Sequence, residues 1–507
     1  MKEILIKILK YGFAAIFVAA FLWLARELFF SKEGAKILNT NEKSSQETLR
    51  VLYSTKPISL EPTFSEPAVR QRLLNIFEPL VKLDRDMKPV PALATSWGLI
   101  DDQTWVIKLR ENVKFHDGSK FDAKDVVASI NRARENPNSQ ISGILDSIEL
   151  VEILDGGQQL HIITTKPDPL LLQRLSLVLI FPAEFEKEKI VPLTGTASYK
   201  FTQEDGSKII LTRFENYWGE KSKFAKVELL TAASKKERVD LFLGGGADLM
   251  EYVPFEVVDL LKERKFNVTT IPSLEVQFLL FNTNSDFFAK VEARQAVSLA
   301  LDQEAFVKSV SSYARPVNQF VSNGIFGFDP DLSDHEYDLE KAKTMIKEAG
   351  LQGQILQFHV SKDMQILGEY VRTQLNQIGI EVLVSYLDGD KLLESLQKAQ
   401  ADVYFFGFKS DLGDSGDFLD LLVQSEGEYN FLKYKNEEVD SLIEKGMQEM
   451  DQRTRLNYLQ QAMEAIVDKD VFGVPLFEYE LVYAFNDKVD FEPRIDGFIY
   501  FDDLKIK

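Results

Sequence analysis

PALATSWGLIDDQTWVIKLRENVKFHDGSKFDAKDVVASINRA, residues 91–133, puts three structural signals into one stretch. From Thr104 the run TWVIKLRENVKF alternates in period two, the pattern of a half-buried strand. Asp117-Gly118 follows as a hairpin turn signal, since glycine accepts the positive φ of a tight turn. Asp122-Ala123-Lys124-Asp125 then opens a helix: two carboxylates three residues apart form a capping pattern ahead of apolar Val126, Val127 and Ile130.

Upstream, TLRVLYST from Thr48 reads as a strand, and Pro57 and Pro62 mark a loop. Leu73, Leu74, Phe77 and Leu80 share one face of a helix predicted over 69–81. Downstream, strands are predicted at 147–154, 159–165, 208–214, 226–231 and 275–282, then a long helix at 290–312. A helix at 338–350 ends on Gly350, a good residue just past a helix terminus. Next come strand QILQFHV, helix 363–378, strand IEVLVSYL, helix DKLLESLQKA and strand ADVYFFGF. Helices at 436–449 and 451–469 precede strands near 474–485 that return toward the start of the chain. Strands alternating with such helices give an α/β class with βαβ units and parallel strands. No Gly/Ser linker divides the body, so its lobes are expected to be joined by short crossings.

The 507 residues suggest two or three domains, at roughly 100–200 residues each. The chain has no cysteine, which excludes disulfides, thiolate metal sites, a cysteine nucleophile and a lipid on an N-terminal cysteine. A net charge of −20 argues against nucleic acid as a partner, since phosphate binding needs clustered Lys and Arg. Residues 1–48 hold seven basic and five acidic side chains, leaving 52 and 74 in the body, a charge of −22.

Residues 11–25, YGFAAIFVAAFLWLA, are uncharged, and the apolar stretch extends over 8–30 if the flanking charges snorkel. Lys2, Lys7 and Lys10 precede it, so the N-terminus stays cytoplasmic and the body lies outside. Its length favours a single-pass transmembrane anchor at residues 1–30 over a cleaved signal segment, and both export the body. Residues 31–48 are polar and read as a flexible tether.

Catalytic motifs are mostly missing. Gly244-Gly245-Gly246 lacks the Lys-Ser/Thr of a phosphate loop and reads as a turn after a strand. His116, His161, His335 and His359 are scattered, with no zinc-helix spacing; His116 reads as exposed beside its turn and His359 as satisfied within a strand. Asp411, Asp414, Asp417 and Asp420 stand out after the strand VYFFGF. They are open to three readings: caps for the following helix, a metal site that the spacing does not favour, or a carboxylate at a strand end meeting a ligand's ammonium group. Paired acids such as Asp411 and Asp414 would also be the minimum for a glycan-active enzyme.

The stretch at 91–133 resembles the family 5 extracellular solute-binding proteins, the peptide-binding components of ABC importers, in order and spacing: Pro-x-Leu-Ala, Trp, an acidic turn, a strand ending Leu-Arg, then Phe-x-Asp-Gly and Asp-Val. SLEPTF, NIFEPLVKLD, ENYWGEKSKFAKVEL, FNTN with ARQAVSLALDQEAF, YDLEKAKTMIKEAGL and YKNEEVDSLIEKGMQEMDQRTRLNYLQQA follow in the family's order, so the likeness covers nearly the whole body. It implies a two-lobed periplasmic-binding-protein type II fold with an extra subdomain in the first lobe. Carried over, lobe I is 49–75, 190–275 and 485–507, its inserted subdomain 76–189, and lobe II 276–484.

The resemblance further implies a monomeric, non-enzymatic receptor without cofactor or metal, which captures short peptides and delivers them to membrane permease subunits. Its ligand residues transfer to Asp411, which would meet the peptide's α-ammonium, and to Gly407, Phe408 and Lys409 before it. Ser65, Glu66 and Pro67 would face them from lobe I. Phe408 stands where the family has Trp, and Gly195-Thr196-Ala197-Ser198-Tyr199 replaces Gly-Thr-Gly-Pro-Tyr. Relatives on the same scaffold bind nickel complexes, haem or oligosaccharides, so a non-peptide ligand or a tethered sensor is the alternative.

Overall fold

A computed structural model describes residues 48–184, 193–206 and 208–506. The anchor expected at 1–30 and the tether at 31–48, apart from Thr48, lie outside these residues. Among the described residues no helix is long and apolar enough to cross a membrane. Strand β1 (Thr48–Tyr53) leads to helix α1 (Pro67–Leu73). Strands β2 (Ala94–Asp101), β3 (Thr104–Leu109), β4 (Ile148–Leu154) and β5 (Gln159–Thr164) form a four-stranded antiparallel sheet in the order β2-β3-β5-β4. Helix α2 (Ala123–Glu135) packs Val126 and Ile130 into the same core as Trp105, Ile107 and Ile162. Its capping box forms as expected, with Asp122 accepting from Lys124 N at 2.7 Å and Asp125 from Asp122 N at 2.7 Å.

Two short pairs, Val81–Leu83 with Pro89–Pro91 and Val489–Asp490 with Lys505–Ile506, stand apart, and eleven strands including β1 form one large sheet. Among them are β6 (Tyr199–Asp205), β7 (Lys208–Arg213), β8 (Lys226–Thr231), β9 (Leu249–Met250), β10 (Asn267–Phe281), β11 (Ile355–Ser361), β12 (Glu381–Leu387), β13 (Val403–Lys409) and β14 (Gly473–Phe485). Their order is β12-β11-β13-β10-β14-β9-β1-β8-β7-β6, with the short strand Ala314–Pro316 paired to β14. β10 and β14 run antiparallel from Asn267↔Phe485 to Leu280↔Gly473, with a register shift between Pro272 and Val276. Pro272 has no N–H to give to the ladder, which suits an irregularity there.

In the second half, period two places Leu279 and Phe281 on one face of β10 and Phe278 and Leu280 on the other. Each face has its own core: Phe358, Phe405 and Phe477 join the first pair, and Tyr404, Phe418 and Phe472 the second. A run as apolar as FLLF is what burial on both faces requires. A third core combines Leu49, Val51 and Tyr53 with Leu211, Val227, Tyr483, Phe485 and Phe501, so both ends of the body share it.

Several expectations need correction. The helix predicted at 69–81 ends at Leu73, and Val81–Leu83 is a strand; Pro79 disfavours helix in the residue before it. Leu73, Leu74, Phe77 and Leu80 are buried all the same. The helix at 290–312 is two, Val291–Leu299 and Gln303–Val310, because Asp302 caps the second through Ala305 N at 2.9 Å. β11 runs parallel to β12 and β13, but β10 runs antiparallel to both of its neighbours, β13 and β14, so the sheet is mixed. Gly244 closes a helix, Lys235–Leu243, rather than a strand. His116 is half-buried: Gly195 N donates to its Nδ1 at 3.3 Å and its Nε2 donates to Ala197 O at 2.8 Å, while burial holds its pKa down at about 4.

The β10–β14 ladder leaves no room for a side chain at Gly473, where a Cβ would lie 2.2 Å from the Leu279 carbonyl oxygen. Gly473→Ala is expected to lower stability by about 1–3 kcal/mol in urea unfolding. Gly98→Ala in β2, where a Cβ would meet nothing within 4 Å, is expected to stay within about 0.5 kcal/mol.

Candidate functional site

β13 pairs with β10 along its whole length, from Val403↔Phe281 to Lys409↔Glu275. On its other side, β11 pairs only with Val403 and Tyr404. Residues 405–409 therefore have no strand partner on that edge, and the strand ends one residue before Ser410-Asp411. At Gly407 the Gln277 amide and Glu275 carboxylate lie where a Cβ would be, at 2.7 Å, and Gln277 Nε2 donates to Glu275 Oε1 at 2.7 Å. Phe408 turns into the core and meets Phe418 edge-on at 5.4 Å. Lys409 Nζ stands 2.8 Å from Asp411 Oδ1 and 5.1 Å from the centre of the Phe498 ring. Asp411 N also donates to Lys409 O at 2.9 Å, which fixes the turn between them.

The four aspartates have different neighbours. Asp414 is 1% exposed and paired in bidentate fashion with Arg455, at 2.6 and 2.8 Å, while its Oδ1 accepts from Gly416 N at 2.8 Å. This is the capping reading, and it removes Asp414 from any pair of free catalytic acids with Asp411. Asp417 is pushed up to about 8, first by burial and then by the Asp411 and Asp414 carboxylates. Asp420 is raised by burial, against the pull of Arg174 and Lys166. Among the described residues no group of three or more His, Asp or Glu side chains is placed to hold a metal ion.

A cavity of about 870 Å3 opens beside this segment, between the four-stranded sheet and the second half of the chain. Trp97, Leu99 and Trp105 form one wall, and Phe326, Phe328 and Met450 the other, with Gly413 and Asp414 at its edge. Its size and aromatic lining are typical of small-ligand pockets.

The family model described as "Bacterial extracellular solute-binding proteins, family 5 Middle" matches residues 88–430, more than half of the chain. The chain belongs to this family. It is 25% identical over 501 residues to "Dipeptide-binding protein DppE" of Bacillus subtilis (strain 168), covering 90% of this chain and 91% of the relative. It is 26% identical over 442 residues to "Glutathione-binding protein GsiB" of Pectobacterium atrosepticum, covering 80% and 84%. Among solved structures, NikA from Brucella suis in complex with Fe(III)-EDTA superposes with a TM-score of 0.82 at 20% identity, covering 91% of this chain and 100% of that one. The two-lobed α/β fold is thereby shared.

In this family 5 solute-binding protein, the segment Ser65-Glu66-Pro67 is fixed at the start of α1. Glu66 caps the helix through Ala68 N and Val69 N at 3.2 and 3.1 Å, Pro67 takes the first turn, and Gln140 Oε1 accepts from Ser65 N and Glu66 N at 2.9 and 3.1 Å. No hydrogen bond joins this segment to β13 among the described residues. From the same helix, Arg70 lies within the electrostatic field of Asp411, held by Leu177 O and Ser176 O at 3.0 and 3.2 Å. Arg70 and Phe498 were not singled out from sequence; Arg70 acts on Asp411 and Phe498 lies near Lys409 from distant parts of the chain, and no local pattern marks them.

Asp417 gives this region a signature in pH. Its folded pKa of about 8 stands above the ordinary 3.8, so folding favours its protonated form. That stabilising contribution is full below pH 3.8 and is lost as pH rises through about 8. Asp417→Asn, fixed in the neutral state, is expected to lose less stability than the wild type between those pH values, read as urea midpoints across the range.

Proposed function

We propose that this protein is the extracytoplasmic substrate-binding component of an ABC importer and that it captures short peptides between its lobes. The observation that carries this reading is the bare edge of β13 at 405–409, ending beside Asp411. An extended peptide adds to such an edge through main-chain hydrogen bonds, which ignore side-chain identity, while a carboxylate at the end fixes register through the α-ammonium. Gly407 and Lys409 supply backbone groups, Phe408 supports the strand from behind, and Ser65, Glu66 and Pro67 border the cleft from the first lobe. The aromatic cavity then takes a large apolar side chain. A relative named as dipeptide-binding supports the peptide class.

Lobe I would comprise 49–75, 190–275 and 485–507, the inserted subdomain 76–189, and lobe II 276–484. The core that unites Leu49, Leu211 and Phe485 supports this division, and the register shift at Pro272 and Val276 supports a hinge there. A single-pass anchor at residues 1–30 would hold the monomeric receptor at the membrane, where it hands its ligand to permease subunits without chemistry of its own.

A thermal-shift screen of tripeptides against residues 49–507 tests this reading, with stabilisation by free-amine peptides as the expected result. Stabilisation by metal chelates or oligosaccharides alone would replace the ligand class, a result for which the Fe(III)-EDTA complex of NikA is a precedent on this fold. In calorimetry, Asp411→Asn is expected to weaken free-amine peptides more than their N-acetylated forms; equal effects would remove Asp411 from the anchor role. Trp97→Ala is expected to cost peptides bearing Phe or Leu about tenfold in affinity and to leave triglycine within about twofold, since one buried apolar side chain is worth about 1.5–3 kcal/mol.

A further inference from the structure

The carboxylate proposed as the ammonium anchor already holds an ammonium of the chain's own. Lys409 Nζ sits 2.8 Å from Asp411 Oδ1, with the Lys409 side chain 23% exposed and that of Asp411 44%. The ring of Phe498, from the C-terminal segment, lies 5.1 Å from the same nitrogen, within reach of a cation–π contact. The turn closed by Asp411 N donating to Lys409 O at 2.9 Å brings the two side chains together, so the pair forms locally, with little loop-closure cost. Arg70 adds a second positive charge within the field of Asp411.

We propose that Lys409 is a resident competitor for the Asp411 anchor and sets the charge selectivity of the cleft. This rests on the peptide reading given above. A ligand's α-ammonium must either displace Lys409 or bind the second oxygen of Asp411 against the repulsion of a neighbouring cation. Displacement leaves Lys409 with the face of Phe498 and water. Displacement lowers the apparent affinity for a free amine in proportion to the fraction of receptor whose anchor is free, and on the second route the repulsion itself lowers it. The protein therefore discriminates weakly between free-amine and N-blocked peptides, although it carries the carboxylate that would otherwise select strongly.

Calorimetry with one tripeptide and its N-acetylated form, on the wild type, Lys409→Met and Lys409→Arg, tests this. Methionine keeps the length of the side chain and removes the charge; arginine keeps the charge. The expected result is a gain of about tenfold for the free-amine peptide in Lys409→Met, the scale of freeing one hydrogen bond to a charged group. No gain is expected for the acetylated peptide, nor for either peptide with Lys409→Arg. Unchanged or weaker free-amine binding in Lys409→Met overturns the proposal, and weaker binding would instead make Lys409 a contact for a ligand carboxylate. Equal gains for both peptides also overturn it, since packing and not charge would then be responsible. Absence of peptide binding by all three proteins overturns the peptide reading and this proposal with it. Peptide binding indifferent to residue 409 overturns this proposal alone.

Discussion

From Asn267↔Phe485 to Leu280↔Gly473, β10 and β14 hold each other along most of their length. Everything else is arranged around that ladder. On one side of it lie β13, β11 and β12, and on the other β9, β1 and β8 to β6. At one end the pair carries the core shared by both ends of the body, and at the other it divides the apolar clusters of the second half. The irregularity between Pro272 and Val276 falls within this pair, which is where the proposed hinge would lie.

The segment after β13 shows how neighbours decide what a carboxylate does. Four aspartates spaced by three look equivalent in sequence. Asp414, buried against Arg455, is a structural strut whose pairing satisfies both partners. Asp417 sits near two of its fellows and is pushed toward the neutral form. Asp411 is the more accessible of the two paired ones, and its partner Lys409 comes from the end of β13. The chemistry of the site thus turns on one surface-accessible ion pair beside a fixed, buried one.

Much of the fold could be read from local pattern. The Asp122 capping box, the Asp117-Gly118 turn and the succession of β11, β12 and β13 with their helices all follow from spacing within a few residues. The order of strands did not, because nothing local records that β13 lies against β10, well over a hundred residues earlier in the chain. Helices end at Leu73 and Leu299 although the apolar periodicity runs on past them, so burial pattern and backbone conformation part company there. Of the candidate site, the strand end and its aspartate were visible. The arginine that claims Asp414, the ring over Lys409 and the aromatic walls of the cavity were not, since each comes from a different part of the chain.

The unpaired edge of β13 has a consequence for the life of the protein in solution. Exposed strand edges are templates for pairing with other chains, and proteins commonly guard them with charge, brevity or cover. Here the bare portion is confined to residues 405–409 and terminated by a lysine and an aspartate. On the peptide reading, a groove that accepts one short strand must also refuse a longer one, and a charged pair at its mouth would serve that end. On this view a bound ligand does more than occupy a receptor: it closes the sheet, and the occupied protein should be the less prone to self-association.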